Sequence, residues 1–280
     1  MENKILRDFI LRSLREDLGD GDHSSLACIP IKATGKAKLL IKEKGILAGM
    51  RVAGVLFSTI DKELKFDSFL EDGAMVVPGD IAFHIQGCQQ SILKTERLVL
   101  NIMQRMSGIA TSTHEYVSKL EGLKTRILDT RKTSPGLRFL EKEAVRIGGG
   151  LNHRMGLFDM IMLKDNHIDY AGGIEKAINN TRKYLKENNI NLKVEIEARS
   201  LEDVRTILSV GGIDRIMLDN FSIKDTLSAV EEIAGRYETE SSGGIGLSTI
   251  RSYAKCGVDF ISVGALTHHI KSLDMSLKAI

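Results

Sequence analysis

The sequence predicts an α/β protein in two parts: a small antiparallel sheet with helices, then a parallel βα repeat. Three observations carry this reading. From Glu96 onward, short apolar runs alternate with helix-like segments at spacings that suit βα units. Each run closes on a polar residue or a glycine. The first third reads differently, with alternating strands and Pro-Gly-Asp turn chemistry.

In chain order, Ile5 to Leu18 places Ile5, Phe9, Ile10, Leu14 and Leu18 at helical spacing and stops at Gly19. Lys36 to Ile41 alternates, with Ala37, Leu39 and Ile41 on one face. Phe66 to Leu70 and Ile81 to Ile85 are further short strands, and Pro78-Gly79-Asp80 turns the chain between Met75-Val76-Val77 and Ile81. Glu96 to Met106 is helical. The β-rich runs that follow are Arg126 to Thr130, Met160 to Lys164, Val194 to Glu197, Arg215 to Asp219 and Phe260 to Gly264. Helices are predicted over Tyr170 to Lys186, Leu201 to Val210, Ile223 to Arg236 and Leu247 to Cys256. Arg236 to Glu240 is too polar for a buried barrel strand. A parallel sheet of about six strands can be an open doubly wound sheet or a barrel, and the late glycine turns favour the barrel. In both, chemistry gathers at the C-terminal ends of the strands. Thr130, Lys164, Glu197, Asp219 and Gly264 all fall there.

Bulk properties narrow the function. With 39 basic and 37 acidic residues the net charge is only +2, so anion recognition must be local. Trp is absent and aromatics make up 5%, which argues against a nucleic-acid stacking platform. The three cysteines form no CxxC pair, as suits reduced thiols in the cytoplasm. The N-terminal residues carry charges throughout and lack an apolar signal core, and no run approaches a membrane span. Phosphate-binding GxxxxGK[ST], strand-linked GxGxxG, GxSxG and HExxH motifs are all missing. His167, His268 and His269 lack metal-ligand spacing and read as structural.

Three groups of residues carry chemistry. Arg131, Lys132, His153, Arg154 and Lys164 sit at or beyond strand ends, and several cations at one mouth imply a multiply anionic substrate. Gly148-Gly149-Gly150 precedes the second of these pairs and suits close backbone approach to a ligand, or a plain turn. Glu197 and Asp219 each close an apolar strand. They can hold ribose hydroxyls or Mg²⁺, stabilise a developing cation, or serve as helix N-caps, a role Asp219-Asn220 also suits. Glu195 lies two residues earlier, nearer the barrel interior. Ser241 to Gly246 and Val263-Gly264-Ala265 are glycine turns on consecutive units, where backbone N–H groups bind phosphate.

The strings DTRKTSPGLR (129–138), GGGLNHRMGLFD (148–159), LKDNH (163–167), VEIE (194–197), LDNF (218–221), ESSGG (240–244) and VGALTH (263–268) resemble those of quinolinate phosphoribosyltransferases, with EDLGDGDHSS (16–25) as a looser N-terminal marker. The resemblance implies an N-terminal α/β sandwich joined to an incomplete, six- to seven-stranded parallel α/β barrel. The boundaries are drawn at 1–108 and 109–268, with the tail 269–280 packing on the first domain. It implies transfer of phosphoribose from phosphoribosyl pyrophosphate to quinolinate with decarboxylation, giving nicotinate mononucleotide for NAD synthesis. Arg131, His153, Arg154 and Lys164 then bind the quinolinate carboxylates, with Thr130 and Lys132 in the same pocket and Lys132 also near the pyrophosphate. Lys132, Glu197 and Asp219 form the catalytic set, and Glu197 and Asp219 face the ribose and Mg²⁺, held largely through substrate and water. Ser242, Gly243, Gly244, Val263, Gly264 and Ala265 cradle the 5′-phosphate. Arg97 reaches the neighbouring subunit's site, so a homodimer is the active unit and a homohexamer is left open. Ala198-Arg199 departs from the family pattern and places a cation near the ribose carboxylate. The alternatives are a phosphoribosyltransferase of the same fold with another aromatic acid acceptor, or a non-catalytic phosphosugar-binding protein.

Overall fold

The computed structural model describes residues 2–280. The chain forms two compact units, one running to Ser112 and taking back Ile270–Ile280, the other Thr113–His269. The first stretch holds α1 (Glu2–Leu18), α2 (His23–Cys28), β1 (Thr34–Ile41), β2 (Gly45–Ile46), α3 (Met50–Ile60), β3 (Lys65–Ser68), β4 (Met75–Val76), β5 (Ile81–Cys88) and α4 (Gln89–Ser118). Caps set the helix starts. Asp22 accepts the Ser25 amide at 3.1 Å to open α2, and Asp72 accepts those of Met50 and Arg51 at 2.9 and 3.2 Å to open α3. Phe57, Phe66 and Phe83 meet at ring-centroid distances of 4.8 to 5.8 Å and anchor α3 to the sheet.

The second unit runs β6 (Arg126–Leu128), α5 (Arg138–Ile147), β7 (Ile161–Leu163), α6 (Asp165–Ala171), α7 (Ile174–Glu187), β8 (Val194–Ala198), α8 (Leu201–Val210), β9 (Arg215–Asp219), α9 (Ile223–Ile233), β10 (Glu238–Ser242), α10 (Ile250–Lys255), β11 (Phe260–Ser262) and α11 (Ala265–His268). Its six strands are parallel in the order β6-β11-β10-β9-β8-β7. The first strand therefore joins the last, as in a barrel, while β6 and β7 leave the wall open. Into that opening a single parallel bridge, Leu128 to Leu151, adds a fragment of a seventh strand. The fold is the mixed α/β architecture with an incomplete barrel that the sequence predicts.

The tail forms β12 (Met275–Ala279), which pairs antiparallel with β1 from Ala37↔Ala279 to Ile41↔Met275. The first unit's sheet is thus β12-β1-β5-β3.

Two expectations are corrected and one helix is added. The predicted helix Tyr170 to Lys186 is two helices, broken at Gly172 and Gly173, whose φ values of 85° and 115° suit glycine. Helix α5 follows directly on the cationic loop and was not expected. The segment ending in Glu240, read as too polar for a barrel strand, is β10, with Thr239, Glu240 and Ser241 buried. Its polarity has a physical reason. Successive side chains alternate across a strand, and Arg215 Nη2 lies 2.9 Å from Glu238 Oε2 while Nη1 lies 3.0 Å from Glu240 Oε2. The inward face of β10 therefore packs charge against charge.

Candidate active site

The C-terminal ends of the parallel strands open on one cavity of about 870 Å³. Thr130, Arg131, Lys132, His153, Arg154, Lys164, Glu197, Asp219, Ser242 to Gly244 and Val263 to Ala265 all line it. Arg97 lies exposed on α4, in the other unit, and is not among the lining residues.

One wall is cationic and is built on a buried polar knot. Asp129, fully buried, accepts from the ammonium of Lys142, from Asn152 Nδ2 at 2.6 Å and from the His153 amide at 2.8 Å. Lys142 also donates to the His153 carbonyl at 3.0 Å. Burial pushes the Asp129 carboxyl up and the Lys142 ammonium down, against their mutual attraction. Arg138 braces the loop by donating to Thr133 Oγ1, the Met155 carbonyl and the Arg131 carbonyl at 3.0 to 3.4 Å. The result presents two guanidinium groups to the cavity. The Arg131 Nε is buried with no protein partner. Burial, and then the repulsion of Arg131, lowers the Arg154 pKa from its usual value. A pair of like charges with an unspent donor is a site that an anion completes.

Beneath this wall lies a layer of buried charge. His153 Nε2 is 2.9 Å from Glu195 Oε2 and 3.5 Å from Glu240 Oε2, but off the direction of a hydrogen bond. Among the described residues these three form the one group with metal-ligand geometry. Arg215, 3.0 Å from Glu240 and 4.0 Å from Glu195, takes the cation's place there.

The opposite side is acidic. Glu197 accepts the Asp165 amide at 3.0 Å, at the start of α6, and lies 3.7 Å from Lys164 Nζ. Asp219 accepts from Asn220 Nδ2 at 2.7 Å. Helices α8 and α9 take their caps from Ser200 and Ser222, so the alternative of Asp219-Asn220 as a cap does not hold. Arg199, expected near the ribose carboxylate, instead binds Asp169 through both guanidinium nitrogens at 2.8 and 3.1 Å, and this pairing raises its pKa further.

The third side is backbone. Gly243 and Gly244 have φ of 95° and 62°. A Cβ on Gly243 would lie 2.1 Å from Asn220 Oδ1 and 2.9 Å from its backbone nitrogen, so only glycine fits. Thr267 Oγ1 donates to the Lys132 carbonyl at 2.7 Å and ties the VGALTH turn to the cationic loop.

Tyr116, Asn220, Glu240, Ser262 and His268 also line the cavity and escaped the sequence reading as site residues. Asn220, at φ of 57° beside Asp219, carried a signal in the LDN string; Tyr116 carried none. His268 was read as structural and faces the cavity, whereas His167 is structural, its Nδ1 accepting the Lys164 amide at 3.0 Å.

Residues 109–278 match the quinolinate phosphoribosyl transferase C-terminal domain, and residues 22–107 match the N-terminal domain of the same family. The chain is 45% identical to quinolinate phosphoribosyltransferase [decarboxylating] 1b of Nicotiana tabacum, over 98% of this chain and 82% of that protein. It is 40% identical to the probable nicotinate-nucleotide pyrophosphorylase [carboxylating] of Bacillus subtilis, over 98% and 92%. The crystal structure of NadC from Streptococcus pyogenes superposes with a TM-score of 0.92 at 41% identity, covering 98% of this chain and 96% of that one.

Proposed function

The chain belongs to the quinolinate phosphoribosyltransferase family, and from that premise we infer that it transfers phosphoribose from phosphoribosyl pyrophosphate to quinolinate. The products are nicotinate mononucleotide, pyrophosphate and CO₂, a step of de novo NAD synthesis. The observation that carries this reading is the unspent Arg131–Arg154 pair on a buried anchor. Two adjacent guanidinium groups match the two adjacent carboxylates of quinolinate, and Lys132 and Lys164 add charge beside them.

The chemistry follows from this placement. The C1′–O bond to pyrophosphate breaks and its electron pair leaves with the pyrophosphate. Glu197 and Asp219 favour the positive charge that develops on the ribose. The quinolinate ring nitrogen then bonds to C1′ and becomes a pyridinium. That cation accepts the electron pair of the ring–carboxylate bond as CO₂ departs, and a proton from water takes the vacated ring carbon. The arginines and lysines hold the dianion in line and need not transfer protons.

The backbone turns Ser242 to Gly244 and Val263 to Ala265 suit the 5′-phosphate. Glu197 and Asp219 both line the cavity; Glu197 Oε2 accepts the Asp165 amide with Oε1 3.7 Å from Lys164 Nζ, and Asp219 Oδ2 accepts from Asn220. That donor set fits Mg²⁺, which keeps several of its waters and binds through one or two carboxylates and substrate phosphates. The ion supplies neutralisation of the pyrophosphate charge. Exposed Arg97 serves the site of a second copy, which makes the dimer the working unit. No described helix is long and apolar enough to cross a membrane. The three free cysteines suit a reducing cytoplasm, to which we assign the protein.

The test is direct. Purified protein with quinolinate, phosphoribosyl pyrophosphate and Mg²⁺ releases CO₂ and nicotinate mononucleotide in equal amounts. Turnover of a different aromatic acid only would overturn the acceptor, and none at all would overturn the reaction. Mixing Arg97→Ala and Arg131→Ala protomers, each impaired alone, gives more activity at low quinolinate than either variant by itself if the site is shared; no gain removes the shared site.

A further inference from the structure

His153 lines the cavity, but its polar atoms are turned to the protein. Nε2 faces Glu195 and Glu240 at 2.9 and 3.5 Å and is buried. Nδ1 accepts the Arg154 amide at 2.7 Å. The His153 amide donates to Asp129 at 2.8 Å, and its carbonyl accepts from Lys142 at 3.0 Å. Three of its polar atoms are held by hydrogen bonds and the fourth, Nε2, is buried against carboxylates, so none is left for a substrate.

The backbone decides where the proton sits. A proton on Nδ1 would set two N–H groups against each other, so the proton belongs on Nε2, toward the carboxylates.

We infer that His153 is a positioning residue rather than an acceptor ligand, and that Glu240 and Glu195 hold its ring so that Nδ1 fixes the backbone of Arg154. Arg154 inherits that placement, and its Nη1 is steadied on the Met160 carbonyl at 3.2 Å. Arg215 completes the support. Its Nη1 bridges Glu240 at 3.0 Å and Glu195 at 4.0 Å, and its guanidinium stacks 4.1 Å over the Phe260 ring. Two wholly buried carboxylates are costly where apolar side chains could pack instead. An anchor for a cation directly above gives them a use.

This inference rests on the acceptor reading above, so the experiment separates the two. Glu240→Gln is expected to raise the KM for quinolinate at least tenfold and to leave the KM for phosphoribosyl pyrophosphate within twofold. In an Arg154→Ala background the same change should have almost no further effect, because Glu240 acts through Arg154. A second pair of variants serves should Glu240→Gln not fold. His153→Asn places an amide oxygen where Nδ1 stands and keeps the quinolinate KM within about threefold. His153→Leu cannot accept the amide and raises it at least tenfold. Equal losses in Asn and Leu, or additive effects of Glu240→Gln and Arg154→Ala, overturn the positioning role while the function stands. Wild-type protein that neither binds nor turns over quinolinate overturns both.

Discussion

On the function proposed above, the two sides of the cavity recognise anions by different means. The acceptor wall uses charged side chains, and each rests on buried polar groups: Asp129 with Lys142 and Asn152, and Glu195 and Glu240 with Arg215. The phosphate side uses backbone held in left-handed turns at Gly243 and Gly244. Charge on long side chains must be aimed, and aiming requires a scaffold of its own. Backbone amides are aimed by the fold, and what they require is the absence of a side chain. The acceptor wall should therefore fail through lost charge or lost anchors, and the phosphate side through added volume.

The largest effect is expected at the anchor. Asp129→Asn leaves the buried Lys142 ammonium without its counter-charge, at about 3–5 kcal/mol. Thermal unfolding should then begin roughly 10 °C lower for a chain of this size. An unchanged melting temperature would mean that the knot does not support the wall. Next is the charge itself. Arg131→Ala removes charge-assisted hydrogen bonds of about 1.5–3 kcal/mol, or about 10–100-fold in quinolinate KM. Steady-state kinetics should show that loss with the donor KM nearly unchanged. An equal loss for both substrates would erase the distinction between the two sides.

Gly243→Ala tests the phosphate side. Left-handed strain and the clash with Asn220 cost roughly 1–3 kcal/mol. That cost should fall on the KM for phosphoribosyl pyrophosphate and spare quinolinate binding. The smallest effect is at Arg199, whose exposed pairing with Asp169 points its charge away from the site. Arg199→Ala should change neither melting temperature nor either KM, and a selective change in donor KM would return it to the ribose site.

The parallel repeat was readable because its strands are apolar runs closed by polar residues. Arg215 to Asp219 and Leu201 to Val210 appear with the predicted bounds. What escaped was mostly buried charge. Glu141 and Lys142 sit buried in α5 beside Leu140 and Ala144, which spoils its apolar period. Glu238 and Glu240 disguise β10, since their partner Arg215 lies on another strand, more than twenty residues away in sequence. The cationic and glycine residues of the cavity were legible from their place at strand ends. The partners that orient them were not, because a strand-end motif records what faces the ligand and not what stands behind it.

The comparison turns on whether the acceptor wall is built for two carboxylates. The direct measurement is calorimetric binding of quinolinate and of nicotinate, which lacks the second carboxylate, to the same protein. Each charge-assisted contact contributes about 1.5–3 kcal/mol, so quinolinate should bind about 10–100-fold more tightly, and Arg131→Ala should remove most of that preference. Equal affinity for the two acids would contradict it.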